Sequence, residues 1–307
     1  ADRIAPFIAQ YEARLVPMPA AGPMRAERWR DSLGRVEDRA ALVASFEARL
    51  QRDEPQAVLA DVAPLLAPGV VAAAFHGLLR AAHAFRAWQR RPSEARRTEL
   101  AHGLGYWAAR YQTLPGEPGR RAQRGLGPTE ALARVPLMPP DQRRGGLILD
   151  RFDVLRERGD FIEVVESFDP DARTPDQALD EMVSAAARLY LGASSGRDRF
   201  VYLHGVTSTA ALRSLLPALA PETRRLLVAH QFAALAAAHA THGEVSDALT
   251  RPLRAPELDP AAIGARAAMS TDDHTIKLVE ACLREHRRGG RLEFLAAAAH
   301  RVGLASG

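Results

Sequence analysis

The chain has 307 residues, of which 47% are apolar and 25% charged, and it sets 41 Lys+Arg against 37 Asp+Glu. That balance excludes wholly disordered, collagen-like and membrane-spanning classes. A single cysteine, Cys282, excludes a disulfide framework and a cysteine-rich zinc site.

Helical spacing dominates the pattern. Residues 37–52 place Ala41, Val43, Phe46 and Leu50 near one face. Residues 70–90, with Phe75, Leu78, Leu79, Ala82, Phe85 and Trp88, read as one long helix buried on most sides. Pro92-Ser93 ends it and starts the next, where Leu100, Leu104, Trp107 and Tyr111 form an apolar face, so the two make an antiparallel hairpin. Residues 115–147 hold six prolines, six glycines and Arg120, Arg121, Arg124, Arg143 and Arg144, which predicts an irregular loop and a candidate lid. Helices resume at about 148–166, 174–194 and 209–242. A proline-containing stretch, 250–260, precedes helices at about 261–268, 271–288 and 290–302. The one β-like run is Arg199-Phe200-Val201-Tyr202-Leu203. The expected architecture is an all-α, single-domain helical bundle over 1–307, with no repeat of fixed period.

The sequence pI of 9.7 suggests anionic partners, yet the arginines are interleaved with acids, as in Arg156-Glu157-Arg158, and no aromatic residues alternate with a basic stripe. No nucleic-acid track is expected. Neither a signal segment nor a membrane span is visible, so a cytoplasmic location is expected. Of the 41 basic residues one is lysine, Lys277, the rest are arginine, and asparagine is absent. Arginine replaces lysine as a surface charge but not where a neutral or derivatised amine is needed. Lys277 is therefore a candidate for chemistry.

Motifs for other chemistries are missing. There is no G-x-S-x-G, no H-E-x-x-H, and no glycine-rich cradle for a flavin, nicotinamide or nucleotide phosphate. What remains is histidine in apolar surroundings: His76 and His83, two helical turns apart; His204; and His274, three residues before Lys277. Ser270 or Thr271 is the expected cap of the helix bearing His274 and Lys277, and Asp272 and Asp273 suit its positive end. An inward amine there either loses its charge in a dry site, becoming a general base, or reacts with CO2 to a carbamate that ligates a metal. A histidine-and-oxygen set suits iron, zinc or manganese, with Asp273 orienting a ligand. The bland alternative is that histidines such as His83 are core residues satisfied by carbonyls. His102, His230, His239 and His242 read as structural, and His286 and His300 as exposed.

At these residues the chain resembles the questin oxidase-like proteins. The matching words are Phe75-His76-Gly77-Leu78-Leu79-Arg80-Ala81-Ala82-His83-Ala84, Leu104 through Pro115, Leu203-His204-Gly205-Val206-Thr207-Ser208 and Asp273-His274-Thr275-Ile276-Lys277, with Trp29 through Gly34 upstream. The resemblance implies an oxygenase of aromatic polyketide chemistry that oxidises or opens quinonoid rings with dioxygen. It implies Fe(II) held by His76, His204, His274 and Lys277, the lysine carbamylated, and a small aromatic substrate as partner. Members usually carry an N-terminal N-H-x-P-M word with a further ligand histidine. No histidine precedes His76 here, and His83 is the geometric substitute. Arg80 is a candidate to pair with a phenolate, with a structural salt bridge the more usual fate of a helical arginine. Two other readings stay open: a metal-free binding protein or cofactor-independent oxygenase with Lys277 as a desolvated base, and a purely structural helical protein.

Overall fold

The computed structural model describes residues 4–13, 15–25, 28–143, 145–244, 247–253 and 258–304. They form helices and short 3-10 turns, with no strand among the described residues. In chain order the α-helices are α1 (Ile4–Glu12), α2 (Arg39–Arg52), α3 (Pro55–Leu66), α4 (His76–Arg90), α5 (Glu94–Ala109), α6 (Pro128–Leu132), α7 (Ile148–Phe152), α8 (Gly159–Ser167), α9 (Pro175–Gly192), α10 (Gly196–Leu212), α11 (Pro221–His242), α12 (Pro260–Ala268), α13 (Asp273–Gly289) and α14 (Leu292–Arg301). Among the described residues no helix is long and apolar enough to cross a membrane.

The all-α expectation holds, and so does the α4–α5 hairpin, with Ser93 capping α5 by accepting from the Arg96 amide. Glycine lets the helices approach closely. A Cβ at Gly77 would lie 2.9 Å from Trp107 Cα, and one at Gly103 would lie 2.9 Å from Ala81 Cα. Trp107 then donates its indole N–H to Gly69 O at 2.8 Å, tying α5 to the turn before α4. The alanine-rich α11 is buried along most of its length against α3, α9 and α10, because short side chains let neighbours pack on several sides.

Several boundaries differ from the pattern reading. The helix expected over 70–90 starts only at His76, because Ala73, Ala74 and Phe75 take left-handed φ values of 50°, 53° and 71°. The β-like run Arg199–Leu203 is helical: it lies in α10, whose N-terminus Ser195 caps by accepting from the Asp198 amide. Tertiary burial overrides the strand preference of Phe, Val and Tyr there. The helix expected over 209–242 is two, the end of α10 and α11, separated by a turn holding Pro217 and by Pro221 at the first position of α11. Residues 148–166 likewise divide into α7, a 3-10 turn and α8. The unexpected α3 opens on Pro55, which suits a first helical turn, and carries a second proline, Pro64, inside. Asp272, rather than Ser270 or Thr271, caps α13, accepting from the amides of His274 and Thr275.

The 115–147 stretch is irregular as expected, with α6 inside it, and Arg144 lies outside the described residues. It is held by backbone bonds to α8 and α11: Arg121 N to Glu166 O, Gln123 N to Ser167 O and Met138 N to Ala240 O.

Candidate metal centre

Three helices far apart in sequence bring three imidazoles together. His76 opens α4, His204 lies in the third turn of α10, and His274 is in the first turn of α13, where α10 packs against both α4 and α13. Ring centroids are 4.9 Å apart for His76 and His204, 5.4 Å for His204 and His274, and 6.4 Å for His76 and His274. One nitrogen from each lies within 4.8 Å of the others. Phe200 covers the cluster edge, 4.7 Å from the His204 ring and 4.8 Å from that of His274.

Hydrogen bonding fixes which nitrogen each ring offers. His76 Nδ1 donates to Ala73 O at 2.7 Å, and His204 Nδ1 donates to Phe200 O at 2.7 Å. A carbonyl only accepts, so both Nδ1 atoms carry the proton. His274 Nδ1 lies 3.0 Å from Asp273 Oδ1, which selects the same tautomer. The Nε2 lone pairs are left over. Those of His204 and His274 are buried with no hydrogen-bond partner. Leaving a buried polar atom unpaired costs about 1–3 kcal/mol, and a metal ion is the partner that three convergent lone pairs fit. Burial also favours the neutral form of the His76 and His204 rings, as ligation requires. It lowers the His204 pKa to about 3 against the pull of Phe200 O, and lowers that of His76, with the Lys277 charge adding to the effect.

The turn before α4 is part of this construction. The left-handed residues Ala73–Phe75 aim Ala73 O at the His76 ring, and Phe75 is fully buried behind it. Left-handed backbone costs about 1–2 kcal/mol per non-glycine residue, so the surrounding packing must hold this turn.

Lys277 stands one turn after His274 on α13 and forms an ion pair with Asp273 Oδ2 at 2.5 Å. Burial pushes the Asp273 carboxyl up, but Lys277, His274 and the Tyr11 hydroxyl together bring it below the usual carboxylate range. At the same helix end, burial pushes Asp272 up, and hydrogen bonds from Thr275 and Arg301 overcome this to hold it at about 2. Arg301, on α14, donates to Asp272 Oδ2 at 2.5 Å and to Thr275 Oγ1 at 2.8 Å.

A groove of about 630 Å³ opens beside the cluster. Its floor is one stripe of α4 (His76, Leu79, Arg80, His83, Ala84, Ala87), Glu99 and Tyr106 of α5 form one wall, and Lys277 belongs to the other. His83 therefore lines the groove and falls outside the three-imidazole group; burial holds its pKa down at about 4. The described residues of the 115–147 stretch contribute nothing to this lining.

Of the remaining histidines, His239 is buried with Nδ1 3.0 Å from Tyr202 Oη, and His242 lies 2.9 Å from Arg151 Nη1. His286 and His300, read as exposed, are half-buried, with His300 against Tyr190. Pattern reading missed Glu99 and Tyr106. Their seven-residue spacing on α5 was the available signal, since it places both on the face opposite the His76–His83 stripe. It also missed Arg301, whose role depends on a contact across 29 residues.

A family model described as Questin oxidase-like matches residues 8–282. No curated protein matches the chain.

Proposed function

The chain belongs to the questin oxidase-like family, and from that premise we propose that it is a non-haem iron oxygenase that uses dioxygen on an aromatic, quinonoid substrate lying in the α4 groove. The observation that carries this reading is the set of three imidazoles whose Nδ1 atoms are committed to acceptors, with the Nε2 atoms of His204 and His274 buried and unpaired. His76, His204 and His274 would hold the ion, with Lys277 joining as its carbamate. Bound ferrous iron would supply one-electron chemistry with dioxygen.

The other tasks fall to the chain itself. Asp273 keeps the proton on His274 Nδ1 and holds Lys277 through its second oxygen. Carbamylation of Lys277 gives up that ion pair, leaving Asp273 to act on His274 alone. Leu79, Ala84 and Ala87 give a flat apolar floor that excludes water from a planar ring system. His83, neutral in this setting, presents a hydrogen-bonding edge inside the same groove. The metal-free alternative has less support, because it leaves the buried Nε2 atoms of His204 and His274 without any partner.

The test is anaerobic loading with ferrous ion followed by metal analysis. One iron per chain is expected, with loss of that iron in His204→Ala and His274→Ala and retention in His83→Ala. Iron content unchanged by both of the first two substitutions would sink the proposal.

A further inference from the structure

The groove carries polar groups that the metal centre does not use. Arg80 lies one helical turn beyond His76 on the floor, about 6 Å along α4. It donates side-on to Glu99, from Nε to Oε1 at 2.7 Å and from Nη2 to Oε2 at 2.9 Å. That pair fixes the plane of the guanidinium and raises the Arg80 pKa, so the charge is permanent. Nη1 is not used by Glu99 and has no hydrogen-bond partner among the described residues. The Tyr106 hydroxyl likewise has no such partner, and Tyr106 lines the same groove close enough to influence Arg80 electrostatically. Arg39 stacks 5.3 Å from the centre of the Tyr106 ring and helps fix it. The groove thus combines an apolar floor with two donors, one cationic, each with a partner that fixes it: Glu99 for Arg80 and Arg39 for the Tyr106 ring.

We propose that Arg80 and Tyr106 form a recognition site for an acidic oxygen substituent of the aromatic substrate, a carboxylate or an ionised phenol, about one helical turn from the His76 end. The inference rests on the reading of this groove as the substrate site. It makes Arg80 a specificity residue: the fixed guanidinium sets which end of a planar molecule faces the imidazoles. Glu99 orients the guanidinium and is a positioning residue.

The experiment compares two matched pairs of probes on the metal-free protein and on protein loaded with redox-inert zinc. The pairs are anthraquinone-2-carboxylate with its primary amide, and 2-hydroxyanthraquinone with its methyl ether above the phenol's pKa. Binding is followed by probe absorbance. At least about tenfold preference for the anionic member of one pair is expected with or without zinc, and that pair identifies the substituent. Arg80→Met should abolish the preference by weakening the anionic member far more than the neutral one. Arg80→Lys should keep part of it, and Tyr106→Phe should weaken the anionic member alone. Equal binding within both pairs, a preference that survives Arg80→Met, one that disappears in Lys277→Met instead, or one that appears only with zinc would each overturn the proposal. Because the metal-free arm needs no iron, failure of the iron reading leaves this outcome separately readable.

Discussion

Arg301 holds Asp272: the guanidinium of the last helix donates to the carboxylate that caps α13, at 2.5 Å. The same Asp272 accepts from the His274 amide at 3.2 Å and the Thr275 amide at 3.1 Å. The cap sets the first turn of α13, and that turn carries His274. Arg301 lies beyond the residues 8–282 that the family model matches, whereas the turn it steadies lies within them.

Arg301→Met is therefore expected to weaken zinc binding by about tenfold, as loss of outer partners of metal ligands commonly does. Arg301→Lys should recover part of it. Calorimetric titration of the variants, alongside melting of the metal-free forms, separates the two roles. A brace for the fold alone would lower the melting temperature and leave zinc affinity untouched.

Gly103 has no room for a side chain, since a Cβ there meets Ala81 Cα at 2.9 Å. Gly103→Ala should push α4 from α5 and destabilise the protein by about 1–3 kcal/mol. Ala81 and Arg80 are the atoms displaced, so the Arg80–Glu99 pair should loosen as well. Denaturant unfolding measures the first effect. Probe binding to the still-folded variant measures the second.

Acid should destabilise the fold through His239. Burial lowers its folded pKa to about 4, while the unfolded residue titrates near its ordinary value of 6.5. Between those values the unfolded chain binds the extra proton, so stability is complete above about pH 6.5 and falls as pH drops toward about 4. Each unit in that window removes up to about 1.4 kcal/mol. His239→Gln retains a partner for Tyr202 and should flatten the slope between pH 7 and 5 relative to the wild type in urea titrations of metal-free protein. An identical slope in the two proteins would show that His239 does not contribute.

Local chemistry was legible in the sequence, and long-range geometry was not. The His274–Lys277 pair could be read because three residues on one helix face is a local fact, and the single lysine marked it. The α4–α5 hairpin could be read because Pro92-Ser93 is a local stop and start. The strand preference of Phe200-Val201-Tyr202 misled, because α10 is buried nearly all round and packing decides its conformation. Nothing in periodicity joins His204 to His76 across 128 residues; the family words did that, and the packing of α10 on α4 explains it. Ser270 and Thr271 look as good a cap as Asp272 until Arg301 arrives from α14 to fix the choice.

The turn at Ala73–Phe75 has a consequence for how the protein can change over time. Its contribution to the site is made by a carbonyl, which every amino acid possesses, so no side chain there records the function. Glycine at Ala73 or Ala74 would relieve backbone strain and make the protein easier to keep folded. The same change would slacken the acceptor that sets the His76 tautomer. Robustness and local order are opposed at this turn, and a library screened for heat resistance alone would drift toward a well-folded chain with a loosely held His76 ring.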